Sequence, residues 1–195
     1  MLIATGAPAV PCETVGEWWP RHRSIAAEHP ATIHQAIVGG FVADRVGWAF
    51  ASGYQAALRA LVPDLPADRI CAFCVTEEDG NSPKAIKSTL RRSGAGYVLD
   101  GAKRWTTLGP HGALFLVAAR DATAAGERPS LKVARVASDL PGVSVEKMPP
   151  TRFVPEVPHA RLRFDNVPLP DASLLPGDGY DQYVKPFRTV EDIHV

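Results

Sequence analysis

Phe73-Cys74-Val75-Thr76-Glu77-Glu78-Asp79-Gly80-Asn81-Ser82 and, a little further on, Lys103-Arg104-Trp105-Thr106-Thr107 decide how this chain is read. In the first stretch an apolar run enters an acidic, turn-rich loop. In the second, a strand-like run ends on an indole and two hydroxyls. From residue 70 onward the apolar pattern repeats every two residues, as in a half-buried strand. Before it the repeat is helical. Pro63 and Pro66, which cannot continue a helix, mark the change.

Working outward, the spacing predicts strands over residues 70–76, 89–92, 97–99, 102–107, 113–119, 131–136, 143–146 and 159–164. Residues 113–119 are apolar throughout, which predicts burial on both sheet faces. Residues 159–164 alternate, with His159, Arg161 and Arg163 on one face and Ala160, Leu162 and Phe164 on the other. Asp100-Gly101 reads as a hairpin turn, because both positions favour positive φ. Gly94-Ala95-Gly96 reads as another. The alanine-rich run at 122–125 falls in a hairpin loop, and the proline-rich run at 149–158 in a loop within the β unit or at its edge. Many short strands with regular turn punctuation predict a small sandwich or barrel.

Residues 14–61 are helical in pattern. Pro30 suits a first helical turn, and Gly39-Gly40 predicts a break between two helices. Val42, Val46, Ala49, Phe50, Gly53, Ala57 and Leu61 form one apolar stripe, with Arg45, Ser52, Gln55 and Arg59 off it. Trp18-Trp19 read as packing. At the other end, Thr189-Val190-Glu191-Asp192 before Ile193 fits a capping box, predicting a helix that starts there. The fold class is therefore α+β: a short helical N-terminal part, then an antiparallel β-sandwich or barrel.

Composition narrows the function. The 195 residues are 46% hydrophobic and 22% charged, enough to bury a core. Formal net charge is zero, which gives no reason to expect nucleic acid or an anionic membrane surface as partner. No run approaches the roughly 20 apolar residues of a membrane span. Met1-Leu2-Ile3-Ala4-Thr5 carries no basic segment before an apolar core, so a cytoplasmic location is expected. Three cysteines, Cys12, Cys71 and Cys74, are too few and odd in number for a disulfide framework. Cys71 and Cys74 lack the second ligand pair of a zinc site and sit in a strand-like context, so they read as inert core thiols. No Walker lysine loop, dinucleotide fingerprint, calcium loop or serine elbow occurs.

Strand parity places Trp105 and Thr107 on one face and Thr106 on the other. An indole beside a hydroxyl suits a flat heteroaromatic with a polar edge. Thr76 offers a second hydroxyl, and Gly80, Asn81 and Ser82 let backbone N–H groups approach a phosphate. The same pattern also fits a core tryptophan beside an ordinary acidic loop.

Residues 73–82 resemble the flavin-contacting strand and loop of the acyl-CoA dehydrogenase family, where Thr-Glu-Pro precedes a Gly/Ser turn. Gly96-Tyr97-Val98-Leu99-Asp100-Gly101-Ala102-Lys103-Arg104-Trp105-Thr106-Thr107 resembles that family's next hairpin, which ends in Trp-Ile-Thr. Lys147-Met148, Arg152 and Leu162-Arg163-Phe164-Asp165-Asn166-Val167-Pro168 resemble the last strands of its middle β domain. Leu174-Leu175-Pro176-Gly177-Asp178-Gly179-Tyr180 resembles the turn into its C-terminal helical bundle. The resemblance runs from about residue 40 to 195. It implies a shortened helical domain over 1–66, a β middle domain over 67–183, and the start of a further helical domain over 184–195.

The resemblance implies FAD as cofactor and an acyl-CoA substrate. Phe73, Val75 and Thr76 would line the isoalloxazine, with Trp105, Thr106 and Thr107 beside it and Thr107 toward N5. Ser82 would lie near the cofactor pyrophosphate or the pantetheine arm. The family's chemistry is removal of an α-proton by a carboxylate with hydride transfer from the β-carbon to flavin N5. Here Glu78 replaces the motif's proline, Pro83 replaces an acid, and Thr106 replaces isoleucine. The family's carboxylate lies in the C-terminal bundle, and Glu191 and Asp192 do not match it, so no catalytic base is assigned. Three readings stay open: a truncated or incomplete dehydrogenase, a non-catalytic subunit paired with a chain that carries the bundle, or a flavin monooxygenase or nitroalkane-type oxidase of the same fold. Absence of the bundle would leave apolar surface open, which predicts homo-oligomerisation, a partner chain that supplies the bundle, or poor solubility.

Overall fold

The computed structural model describes residues 11–124 and 130–195. Within them, helices α1 (Val15–Glu28), α2 (Thr32–Phe41) and α3 (Val46–Leu61) precede strands β1 (Cys71–Cys74), β2 (Thr89–Ser93), β3 (Gly96–Thr107), β4 (Leu114–Asp121), β5 (Leu131–Ala137), β6 (Val143–Lys147) and β7 (His159–Pro170). Helix α4 (Lys185–His194) follows, entered through a π-helical turn at Tyr180–Val184. No helix among the described residues is long and apolar enough to cross a membrane.

All seven strands join one sheet, in the order β1-β4-β2-β3-β7-β6, with β5 on the other side of β4. β4 has three partners because β1 and β2 take successive parts of one edge. β1 runs parallel to Leu114 through Val117, and Thr89 and Leu90 of β2 pair with Arg120 and Asp121. β5 lies antiparallel along its opposite edge. The remaining pairings are antiparallel. As its unbroken apolar run requires, β4 is buried on both faces. Leu116 and Ala118 join the core shared with the helices, and Phe115, Val117 and Ala119 join the core on the opposite face with Leu99, Leu162 and Phe164. Cys71 and Cys74, three apart on a strand, fall into different cores. Both are free and buried, and burial pushes the Cys74 thiol up to about 12.

The proline-rich stretch is the loop between β6 and β7, and Gly94-Ala95 is the β2–β3 turn, with Ser93 opposite Gly96. Ala122 to Ala124 lie in the β4–β5 connection, while Ala125 and the N-terminal Met1 to Thr5 lie outside the described residues.

Asp100-Gly101 is not a hairpin. β3 runs through it, and Gly101 sits at a register shift against β7 with φ +143°. A Cβ there would lie 2.3 Å from Ser88 Oγ. The backbone freedom that marks Asp-Gly as a turn serves a bulge equally well.

The helical part differs from its pattern as well. Gly39 and Gly40 lie inside α2, and a Cβ on Gly39 would stand 2.6 Å from Ser52 Cβ. Gly39 permits close packing of α2 on α3, and the break follows at residues 42–45. Pro30 precedes α2 in the connector. Val42 and Val46 are exposed, whereas Ser52 and Gln55 are buried. α3 is enclosed by α2, α4 and β1 rather than lying on a surface, so a single stripe does not describe it. Trp18 is buried, stacks on Trp48 and donates to Ser52 Oγ at 3.0 Å. Finally, Thr189 lies mid-helix rather than at a cap, because the helix has already begun at Tyr180.

Candidate functional site

β1 is an edge strand, and its outer row of polar groups is closed by two α3 side chains. Gln55 Nε2 donates to Cys71 O at 2.7 Å, and Cys71 N–H donates to Gln55 Oε1 at 3.1 Å. Phe73 N–H donates to Tyr54 Oη at 2.8 Å. An edge capped in this way cannot pair with another chain, and Phe73 is fixed where the strand exits toward Val75 and Thr76.

β3 supplies the second wall through a bulge. Lys103 pairs with Leu162 and Thr106 with Ala160, so β3 carries one residue more than β7 over this interval. Trp105 absorbs it with φ +57°. Lys103 and Thr106 both turn inward and are buried, and Thr106 Oγ1 lies 3.9 Å from Cys74 Sγ. Arg104, Trp105 and Thr107 all line one cleft. Neighbours on a plain strand point to opposite faces, so the bulge is what brings Arg104 and Trp105 together. Arg104 N–H donates to Thr76 O at 2.9 Å, tying the two walls. Trp105 is 47% exposed, and its indole meets His159 edge-on at 6.0 Å.

The acidic loop between these walls is held from inside. Glu77 accepts from Lys103 Nζ at 2.7 Å, from Ser88 Oγ at 2.7 Å and from the N–H groups of Ser88 and Lys87 at 3.0 and 2.7 Å. Burial pushes its carboxyl up, but Lys103 and Ser88 outweigh this and hold it below the usual carboxylate range. Glu77 is therefore the loop's internal anchor.

Helix α4 and the π-helical turn before it form the third wall. Val184, Phe187, Arg188 and Glu191 line the cleft with Tyr54, Phe73, Val75, Thr76 and Asn81. The Phe187 ring packs edge-on against Phe73 at 5.1 Å and Tyr54 at 6.0 Å. Glu191 is half-buried, and burial with the nearby Asp192 raises its carboxyl above the ordinary value. The cleft is about 160 Å³ and open to solvent.

Of the residues expected from sequence, Phe73, Val75, Thr76, Trp105 and Thr107 converge on this cleft. The side chain of Thr106 does not. Ser82 lines a separate hollow with Pro83, Lys84, Ser130, Asp178, Tyr180 and Asp181. Sequence reasoning missed Tyr54, Arg104, Phe187, Arg188 and Glu191. Positions 184, 187, 188 and 191 follow helical spacing, a signal that the apparent cap at Thr189 obscured. No cluster of metal-ligating side chains occurs among the described residues.

Residues 72–167 match the acyl-CoA dehydrogenase middle domain. The chain belongs to the acyl-CoA dehydrogenase family. It is 35% identical over 125 residues to benzylmalonyl-CoA dehydrogenase of Aromatoleum aromaticum, covering 62% of this chain and 32% of that protein. It is 30% identical over 122 residues to the mitochondrial short/branched chain specific acyl-CoA dehydrogenase of Rattus norvegicus, covering 61% and 28%. The chain thus spans about a third of the length of these relatives. Among solved structures it shares its fold with butyryl-CoA dehydrogenase from Megasphaera elsdenii, with TM-score 0.73, 16% identity and coverage of 90% of this chain and 50% of that one. It also shares its fold with a FAD complex of PigA, with TM-score 0.71, 16% identity and coverage of 88% and 52%.

Within this member of the acyl-CoA dehydrogenase family, Phe73 through Thr107 fall inside the matched middle domain, while Tyr54 and α4 lie outside it. The cleft is therefore a junction, with its floor from the middle domain and its flanks from helices before and after.

Proposed function

We propose that this protein is a FAD-dependent oxidoreductase of acyl-CoA thioesters and that the cleft receives the isoalloxazine. The convergence of Phe73, Val75, Thr76, Trp105 and Thr107 on one cleft carries the reading. The residues fit the group: aromatic and aliphatic surfaces for a flat ring, two threonine hydroxyls for its polar edge, and guanidinium groups for anionic parts. At about 160 Å³ the cleft is smaller than the roughly 300–1,000 Å³ that encloses a drug-sized ligand. It suits one face of a ring, with the other face left for substrate or a further wall.

Bound FAD would supply the hydride acceptor. The chain's own residues would hold and orient. Trp105 and Phe73 would pack on the ring system, and Thr76 and Thr107 would hydrogen-bond its edge. Glu191 is the carboxyl among the cleft-lining residues, and it would take the proton released from the carbon next to the thioester. Its raised pKa makes it a stronger base than an ordinary carboxylate.

Exposed Ile37 and Phe41 on α2 and Ile193 on α4 support a further helical layer over this side, from the same chain or from another. The domain division at residues 66 and 183 follows from the same reading.

Reconstitution with FAD tests the proposal. The expected result is a bound flavin spectrum that acyl-CoA bleaches, with binding weakened in Trp105→Ala and Thr76→Val. A protein that stays colourless after reconstitution overturns it.

A further inference from the structure

Two guanidinium groups reach the cleft from separate elements, Arg104 from the β3 bulge and Arg188 from α4. Without the extra residue in β3, Arg104 would lie on the face opposite Trp105. The bulge and its left-handed tryptophan thus deliver a cation as well as an aromatic to the cleft. Residues held in sparsely populated backbone regions cluster at ligand sites.

The partners of these two cations leave donors uncommitted. Arg104 Nη1 pairs with Glu78, whose side chain is 75% exposed, and its buried Nε has no hydrogen-bond partner among the described residues. Among the described residues, Arg188 Nη2 reaches only Asn81 Oδ1, at 3.5 Å. Each guanidinium has five N–H donors in a rigid fork that matches the oxygens of a carboxylate or phosphate. The Arg104 guanidinium lies 5.4 Å from the Trp105 ring centroid, so an anion there would adjoin the aromatic wall. Glu191, the one acidic side chain lining the cleft, is raised in pKa and opposes an anion less than an ordinary carboxylate would.

We propose that Arg104 and Arg188, with the Asn81 amide and Thr76, form an oxyanion subsite that takes a phosphate or carboxylate group of the cleft's ligand. The proposal rests on the reading of the cleft as a ligand site and deepens it. The anion could belong to the cofactor's pyrophosphate or to the substrate's coenzyme A carrier, and the test separates the two.

Isothermal titration with inorganic pyrophosphate, FAD, riboflavin and coenzyme A provides the readout. Wild type is compared with Arg104→Met, Arg188→Met and the double variant. Arg163→Met, an exposed position of β7 outside the cleft lining, controls for net charge. Pyrophosphate affinity is expected to fall at least tenfold in the double variant and to hold in Arg163→Met. A parallel fall for FAD but not riboflavin assigns the subsite to the cofactor. A fall for coenzyme A with FAD unchanged assigns it to the substrate. Arg188 is exposed, so Arg188→Met alone decides the matter if Arg104→Met fails to fold. Pyrophosphate that does not bind wild type, or binds the Arg188 variant equally well, overturns the subsite. Riboflavin that fails to bind while pyrophosphate binds overturns the flavin reading and leaves the subsite standing.

Discussion

The Lys103 ammonium meets the Glu77 carboxylate at 2.7 Å, with the lysine side chain fully buried and the glutamate nearly so. The pair joins β3, just before its bulge, to the loop that leaves β1. It therefore sets the distance between the two middle-domain walls of the cleft.

Lys103→Met should cost about 3–5 kcal/mol, the penalty for leaving a buried charge unpaired. Replacing Glu77 as well should not restore stability, because the N–H groups of Lys87 and Ser88 would lose their acceptor. Glu77 is held below its ordinary pKa, so its contribution is present above the unfolded carboxylate value near 4.3. It is lost as pH falls through the lower folded value. Urea unfolding between pH 7 and pH 3 should show this acid loss in wild type and a weaker one in Lys103→Met.

Gln55→Leu should destabilise by ~1–3 kcal/mol for each of the two Cys71 backbone groups it leaves unpaired. Tyr54→Phe removes only the acceptor of Phe73 N–H and should cost about half as much. Chemical denaturation of the two variants checks the ratio. Equal losses would mean that the β1 edge finds other partners.

His22 is buried, and among the described residues neither ring nitrogen has a hydrogen-bond partner. Burial, with Arg59 adding repulsion, lowers its pKa to about 3. The fold therefore holds His22 neutral, and the unfolded chain takes up its proton first. Stability should fall as pH drops below the unfolded value near 6.5 and keep falling toward 3. His22→Phe, which keeps a ring against Trp18, should flatten that part of a melting-temperature profile.

What the sequence made legible follows from which contacts were local. Strand patterning, an unbroken apolar run for β4 and alternation for β7, located these two with β1 and β5 and put Trp105 and Thr107 together. It missed that Arg104 joins them, because the extra residue in β3 is visible only against Leu162 and Ala160 of β7. Gln55 and Ser52 looked like surface residues because their partners, Cys71 and Trp18, lie far along the chain. Asp100-Gly101 misled because a turn and a bulge demand the same backbone freedom. The third wall was hidden by a local motif at Thr189 that matched a helix start inside an existing helix.

Trp105 occupies the left-handed region at φ +57°, a conformation costing a non-glycine residue about 1–3 kcal/mol. Trp105→Gly should therefore melt no lower than Trp105→Ala, although glycine is the more flexible residue. Both variants should lose flavin affinity, since both remove the ring. Melting curves alongside FAD titrations separate strain from contact. A glycine variant markedly less stable than the alanine variant would show that glycine's extra freedom in the unfolded chain outweighs the relief of strain.

Glu191 carries a raised pKa from burial and from Asp192, so its charged form is disfavoured by the fold. The associated stability is full below the unfolded carboxylate value near 4.3 and is lost as pH rises through the folded value. Glu191→Gln should then melt higher than wild type at pH 7, with the advantage disappearing near pH 4. If Glu191 takes the substrate proton, the same variant should bind FAD normally yet reduce it with acyl-CoA about 10²–10⁴-fold more slowly, the usual contribution of a positioned base. Stopped-flow bleaching of the flavin measures that rate. An unchanged rate with a raised melting temperature would leave Glu191 a buried acid in the wall and move the base to a group outside this cleft.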